Sequence, residues 1–340
     1  MTKNGTIVVT GPFLDEAASA LISQADFSVV HTPAYPSDEV LVKFMKDHAP
    51  KGIISRMGQF GHVAMDAAPN LQVISKHGAG VDNIDVAAAS ERGILVLRAP
   101  GANALSVAEH TLALLLATVK QIVPLDQSLR ANRWDKPGFV GREIAGMCLG
   151  LVGFGAIAQH TARLARGFGL NVLAYDPLPH DEMFANAGVT RCHTLENLFE
   201  TADIVSLHCP LLPATRYLIN AETIATMKPG SYLINTARGG LVNEADLLLA
   251  LQSGHIAGAG LDTFEHEPPV ADNALLQHRA IVVTPHVAGV TASAGQRVGI
   301  AAVSGVIALL SGGDVTPDRI VNPEILKNGS ARLQRSTAAE

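Results

Sequence analysis

The stretch Leu149-Gly150-Leu151-Val152-Gly153-Phe154-Gly155-Ala156-Ile157-Ala158, followed by Val172-Leu173-Ala174-Tyr175-Asp176-Pro177, decides the fold. The apolar run 147–152 predicts a buried parallel strand. It enters a Gly-x-Gly-x-x-Ala turn that opens onto a helical pattern over 156–168. A second apolar run then ends in an acid, Asp176, about 20 residues on. Strand, glycine turn, helix, strand and carboxylate in that order make a dinucleotide-binding unit. Gly153 permits the tight turn, and Gly155 lets the backbone approach a pyrophosphate. The helix start supplies unpaired N–H donors and the positive end of a dipole. Ala158 is small enough for the helix to pack close to the strand. Asp176 can accept hydrogen bonds from ribose hydroxyls and would repel a 2′-phosphate. No Arg or Lys follows it within Asp176-Pro177-Leu178-Pro179-His180, so the expected cofactor is NAD rather than NADP.

Outward from this unit the α/β rhythm continues. Residues 1–100 predict strands at 6–10, 27–31, 52–55, 72–75 and 94–97, with helical stretches at 13–24, 37–48, 63–67 and 85–91. This is an open parallel array without a glycine fingerprint. Pro100-Gly101-Ala102-Asn103 breaks it, and a strongly apolar helix follows at 106–120. The segment 121–143 is more polar and carries the only tryptophan, Trp134. A second array predicts strands near 148–152, 171–175, 203–207, 231–235, 257–261 and 281–283. Its helices are expected at 156–168, 194–200, 220–226, 243–253 and 272–277. Another apolar helix follows at 291–311, and the small, polar tail 328–340 is expected to fray. The fold class is therefore α/β, with two Rossmann-like parallel-sheet domains. If helix 291–311 returns to the first array, residues 1–101 and 290–340 form a discontinuous, flavodoxin-like substrate domain. Residues 102–289 are then an inserted NAD-binding domain, and the reaction site is expected in the cleft between the two.

With 340 residues, 48% hydrophobic and 16% charged, the chain has ample material for such cores. Aromatic residues are 4%, so the cores are built mainly of Ala, Val, Leu and Ile. A net charge of −6 and the lack of a basic stripe argue against nucleic acid or an anionic membrane as partner. No apolar run is expected to approach membrane-span length; the candidate considered, 111–119, is bounded by Glu109, His110 and Lys120. No signal peptide is expected, since the sequence goes almost directly into its first strand. Cys148, Cys192 and Cys209 are scattered without metal-ligand spacing, so no metal is expected and a reducing, cytoplasmic compartment is. Each is read as a small buried hydrophobe.

Three further segments carry chemistry. In Leu233-Ile234-Asn235-Thr236-Ala237-Arg238-Gly239-Gly240, an apolar strand delivers an arginine into a glycine-flanked loop. The planar guanidinium matches a carboxylate, or a carboxylate–carbonyl pair, in bidentate fashion. In Leu261-Asp262-Thr263-Phe264-Glu265-His266-Glu267-Pro268-Pro269, acids and an imidazole crowd a strand end. In Val283-Thr284-Pro285-His286-Val287-Ala288-Gly289, a strand ends in Pro-His beside small residues that leave room for a ligand. This sets His286 apart from the other twelve histidines.

Together these segments resemble the D-isomer-specific 2-hydroxyacid dehydrogenases, especially the phosphoglycerate dehydrogenase and hydroxypyruvate or glyoxylate reductase branches. Lys76-His77-Gly78-Ala79-Gly80-Val81-Asp82-Asn83 and Asn103-Ala104-Leu105-Ser106-Val107-Ala108-Glu109-His110 share the resemblance, which covers about residues 50–325. It implies NAD-dependent hydride transfer to or from a small 2-hydroxy or 2-oxo acid. By the same resemblance Arg238 binds the substrate carboxylate and carbonyl, His286 is the acid–base group and Glu267 hydrogen-bonds His286. Arg56 and the backbone of Gly78, Ala79 and Gly80 are assigned to substrate. The cofactor is assigned Gly153, Phe154, Gly155, Ala156, Ile157 and Asp176 on the first strand pair. His208, Cys209, Pro210 and Thr215 follow from the next loop. Val107, Thr236, Ala237, Arg238, Asp262, His286 and Gly289 complete that set.

The chemistry agrees with these roles. Reduction of a 2-oxo acid needs a hydride at the carbonyl carbon and a proton at its oxygen, which an imidazolium donates. Glu267 would favour the charged ring. Asp262 and Glu265 are rivals for that place. Glu267 is preferred because Pro268 and Pro269 stiffen its loop; Asp262 is expected to face the nicotinamide side, and Glu265 and His266 to be solvated. Ala156 departs from the arginine often found there in the family. A single Arg56 stands where phosphoglycerate enzymes carry paired arginines, which argues against a phosphorylated substrate. No serine-sensing regulatory domain of the kind some phosphoglycerate dehydrogenases append is expected after the returning segment. The alternatives are a phosphoglycerate dehydrogenase proper or an NAD(H)-sensing, corepressor-like binding protein. Formate dehydrogenases are disfavoured, since their resemblance is to Gln-x-x-x-x-His with no acid in the place of Glu267. Helix 104–119, apolar on many sides, together with the 121–143 arm, predicts a homodimer.

Overall fold

The computed structural model describes residues 3–178 and 181–332. The expectations for Pro179, His180 and the tail beyond 332 lie outside the described residues. The chain divides into two compact units, one of Met1–Asn103 with Thr291–Glu340 and one of Ala104–Val290.

The first unit begins with β1 (Thr6–Val9), α1 (Glu16–Gln24), β2 (Ser28–His31), α2 (Asp38–His48), β3 (Gly52–Ser55), α3 (His62–Asp66), β4 (Val73–Lys76), α4 (Val86–Glu91) and β5 (Leu95–Leu97). Its sheet is parallel in the order β2-β1-β3-β4-β5, the flavodoxin-like arrangement. Apolar strand residues such as Ile7, Ile53, Ile54 and Ile74 are fully buried. Asp15 caps α1 by accepting from the Ala17 amide at 2.9 Å, the use short acids serve at helix starts.

The second unit opens with α5 (Ala104–Val119) and α6 (Ile122–Arg130). It continues through β6 (Cys148–Val152), α7 (Ala156–Gly167), β7 (Asn171–Tyr175), α8 (Asp181–Ala187), β8 (Thr190–Arg191), α9 (Leu195–Thr201) and β9 (Ile204–Leu207). The remainder is α10 (Ala221–Thr226), β10 (Ser231–Asn235), α11 (Glu244–Ser253), β11 (Ile256–Leu261), α12 (Ala274–Gln277) and β12 (Ile281–Val283). The strands pair in parallel in the order β12-β11-β10-β9-β6-β7-β8. Strand order reverses between β6 and β9, and such a switch point is where open α/β sheets bind ligands. Leu149 and Leu151 of β6 are fully buried, each worth roughly 1.5–3 kcal/mol in burial. Neither α8 nor β8 is predicted from the sequence; a two-residue strand is too short to show an alternating pattern.

The chain then returns to the first unit as α13 (Ala292–Leu310) and α14 (Glu324–Lys327). By length and composition α13 is apolar enough to cross a membrane, so the expectation that no run approaches that length is corrected. Its apolarity has a use inside the unit: Val298, Ala302, Val303 and Val306 are buried, and the helix packs on α1, β3 and β4. A second correction concerns α5. Its apolar faces are covered within its own unit by α7, β10, β11 and β12, so they offer no large uncovered surface. The segment after it does expose apolar side chains, among them Ile122, Leu129, Trp134, Phe139 and Val140.

Candidate active site

At the end of β6 the chain turns through Gly153, whose φ of 92° favours glycine. A Cβ there would lie 2.9 Å from the backbone of His208 and Cys209, so this turn and the loop after β9 come together only because the residue is glycine. Gly155 is different. Its φ of −75° is ordinary and a Cβ would meet no protein atom within 4 Å. No packing requirement explains it, whereas a pyrophosphate occupying that open space would. Gly155 is the N-cap of α7 and makes no side-chain cap, so the first-turn amides of Ala156 and Ile157 are available to an anion. These features fit a dinucleotide. Phe154, assigned above to the cofactor, has its amide and its ring engaged within the protein. Its N–H donates to Asp176 Oδ2 at 2.8 Å, and its buried ring stacks on Phe184 at 4.5 Å.

Asp176 Oδ1 accepts from the Leu178 amide at 3.0 Å. Each carboxylate oxygen thus holds one backbone donor and keeps a second lone-pair direction for a ribose hydroxyl. Beyond β9, His208 bonds Ser206 Oγ at 3.0 Å, and burial pushes its imidazole down to about 4. Burial, with Asp176 adding to it, pushes the Cys209 thiol up to about 11, so it is uncharged at neutral pH. Thr215 spends its hydroxyl on the carbonyl of Pro210 at 2.7 Å, folding that loop.

Arg238 follows β10. Buried Asn235 shapes its turn, accepting from the Ala237 amide at 3.0 Å and donating to the Arg238 carbonyl at 2.8 Å. An asparagine at a strand end before such a loop is a recognisable turn signal, one that the reading of the sequence alone leaves out. Gly239 follows because a Cβ there would lie 1.8 Å from the Phe264 carbonyl carbon. That close approach sets the arginine loop against the acid-rich loop after β11.

Within the acid-rich loop the three carboxylates separate. Glu267 Oε2 meets His286 Nδ1 at 2.7 Å, and its Oε1 accepts from the Phe264 amide at 3.1 Å. Burial works to raise the Glu267 carboxyl. The hydrogen bond and charge of His286, the Phe264 amide and the charge of Arg238 outweigh it and hold the group below its ordinary 4.5. Glu265 is not solvated as expected: the Tyr217 hydroxyl bonds it, and Arg216 lies 4.0 Å away. Asp262 is fully buried, and its carboxylate accepts from the amides of Val287 and Ala288 at 2.9 Å, in the loop carrying His286. Val107 and Thr236 are buried as well, so their side chains serve packing and hydrogen bonding; Gly289 ends the histidine loop half-buried.

In the first unit, Arg56 follows β3. Its Nη1 donates to the Phe13 carbonyl at 3.0 Å and its guanidinium lies 4.0 Å from the centre of the Phe13 ring. Gly78, Ala79 and Gly80 follow β4 in a half-buried loop.

A parallel sheet with a nucleotide-type turn at its switch point, and an imidazole–carboxylate pair beside an arginine at neighbouring strand ends, define a dinucleotide-dependent oxidoreductase unit. Residues 112–288 match the family described as D-isomer specific 2-hydroxyacid dehydrogenase, NAD binding domain. The chain belongs to that family, and NAD is the cofactor of this unit. It is 43% identical over 225 residues to a D-3-phosphoglycerate dehydrogenase of Bacillus subtilis, covering 66% of this chain and 42% of that protein. It is 44% identical over 238 residues to a hydroxypyruvate reductase of Thermotoga maritima, covering 69% and 76%. A crystal structure of a protein from Thermus thermophilus superposes with a TM-score of 0.84 at 34% identity, over 93% of this chain and 99% of that one. The chain spans about half the length of the curated phosphoglycerate dehydrogenases it matches.

Proposed function

We propose that this chain is an NAD-dependent D-2-hydroxyacid dehydrogenase that interconverts a small 2-oxo acid and its 2-hydroxy acid. The observation that carries this reading is the 2.7 Å His286–Glu267 pair with the charge of Arg238 acting on the same carboxylate. Bound NADH supplies the hydride for the carbonyl carbon. With Nδ1 committed to Glu267, His286 Nε2 is the nitrogen left to deliver a proton to the carbonyl oxygen and to take it back in oxidation. Arg238 holds the substrate carboxylate and stabilises charge growing on that oxygen.

We assign Arg56 and the Gly78–Gly80 backbone to the substrate. The engagement of Arg56 with Phe13 supports an unphosphorylated acid over a phosphoglycerate-type substrate. NADH consumption with hydroxypyruvate, glyoxylate, pyruvate and 3-phosphohydroxypyruvate tests this reading. Turnover is expected with at least one of them, with the phosphorylated acid the poorest, and His286→Ala is expected to lose about 10²–10⁴ in kcat. Tight NADH binding without turnover of any acid would instead favour an NAD(H)-sensing scaffold.

The exposed Trp134, Phe139 and Val140 support a homodimer formed through the arm, with a sedimenting monomer at micromolar concentration as the refuting result. The three unpaired cysteines suit a cytoplasmic location, to be checked by fractionation.

A further inference from the structure

His286 sits in the left-handed region at φ 52°, which a residue with a side chain adopts only when its surroundings hold it there. Asp262 supplies that hold. Its carbonyl accepts from the His286 amide at 2.8 Å, and its carboxylate takes the next two amides and the Thr284 hydroxyl at 2.5 Å. Thr284 has one hydroxyl proton, and Asp262 receives it. Toward His110 Nε2, 2.9 Å away, Thr284 Oγ1 can therefore only accept, so Nε2 of His110 carries a proton. The chain of donors runs one way, from His110 on α5 through Thr284 to Asp262.

The next residue on α5 makes the matching contact to the other loop. Thr111 donates its proton to the Val107 carbonyl at 2.8 Å. The 2.8 Å bond between Thr111 and Thr236 therefore runs from Thr236 to Thr111. Thr236 lies two residues before Arg238.

We propose that His110 and Thr111 are a positioning pair that sets the separation of the His286 imidazole and the Arg238 guanidinium, one through Thr284 and the other through Thr236. Two adjacent residues on one buried helix anchor the two loops that carry the reacting groups. The roles of His286 and Arg238 in this proposal rest on the function proposed above.

The test uses His110→Leu, which removes the donor, and His110→Gln, which restores an N–H at similar reach. Thr284→Val removes the intermediate hydroxyl and serves if His110→Leu does not fold. The expected result for His110→Leu and Thr284→Val is a fall in kcat of about 10-fold to 10²-fold and a raised KM for the 2-oxo acid. NADH affinity should be unchanged, and His110→Gln should recover most of the loss. In the free protein, the His286 imidazole NMR resonances should move in His110→Leu and Thr284→Val and return in His110→Gln. Wild-type kinetics and unmoved resonances in both disrupting variants would overturn the proposal, as would equal losses in His110→Leu and His110→Gln. A wild-type protein that reduces no 2-oxo acid would refute the functional reading, and the resonances would still decide whether the anchor exists.

Discussion

Gly239→Ala tests how the arginine loop and the acid-rich loop depend on each other. The added methyl would lie 1.8 Å from the Phe264 carbonyl carbon, 2.0 Å from its oxygen and 2.4 Å from the Glu265 nitrogen. Real Cβ contacts essentially never fall below 3.0 Å, so one loop must retreat by more than an ångström. All three neighbours are backbone atoms, and no side-chain rotation relieves the clash. Overpacking of this kind costs about 1–3 kcal/mol, a fall of roughly 2–12 °C in Tm for a unit of this size. The functional loss should be larger in proportion. Arg238 adjoins the new methyl and Glu267 stands three residues past Phe264, and a misplacement of about 1 Å can cost on the order of 10²-fold. The control is Gly155→Ala, where the methyl meets no protein atom. That variant should melt with wild type yet bind NADH more weakly. Scanning calorimetry, NADH titration and 2-oxo acid reduction on both proteins give the comparison. A Gly239→Ala protein with wild-type Tm and turnover would refute the reasoning.

Glu267→Gln keeps the shape but removes the charge that orients His286, and kcat should fall about 10²-fold. Because the Glu267 carboxyl lies below its ordinary 4.5, the pair's contribution to stability is full above that pH and is lost as pH falls through the depressed value. Urea midpoints measured between pH 6 and pH 3 should converge for wild type and Glu267→Gln at the acid end. NADH should be preferred to NADPH by kcat/KM, and Asp176→Ala should narrow the preference chiefly through a higher KM for NADH. The Cys209 thiol, pushed up to about 11, should resist iodoacetamide at pH 7.5 by mass spectrometry; rapid labelling would contradict its burial.

Much of the nucleotide unit was legible because its devices are local. The glycine turn, the short strands and the acid at the next strand end each occupy a few consecutive residues, and the 2.7 Å histidine–carboxylate pair joins two loops already singled out for their composition. Other features depend on three-dimensional partners. Nothing in Leu261-Asp262-Thr263-Phe264-Glu265 says which acid turns inward; the amides of Val287 and Ala288 and the hydroxyl of Tyr217 decide it. Nothing in the glycine turn itself says that the Phe154 amide is taken by Asp176, 22 residues on. His110 reads as one more histidine near a helix start until Thr284, 174 residues away, meets it. The apolar surplus of α5 and α13 likewise cannot be assigned to a core, a partner or a bilayer before the packing is known.

The path of the chain through α13 has a consequence for biosynthesis. The second unit is one continuous segment and can reach its final form as soon as it leaves the ribosome. The first sheet emerges earlier but must wait, because Val303 and Val306, which cover it, are translated about 230–250 residues after β3 and β4. During that interval the part of that sheet face which α13 covers beside α1 is bare. Chaperone capture of stalled chains should therefore be strongest for those arrested just before codon 291.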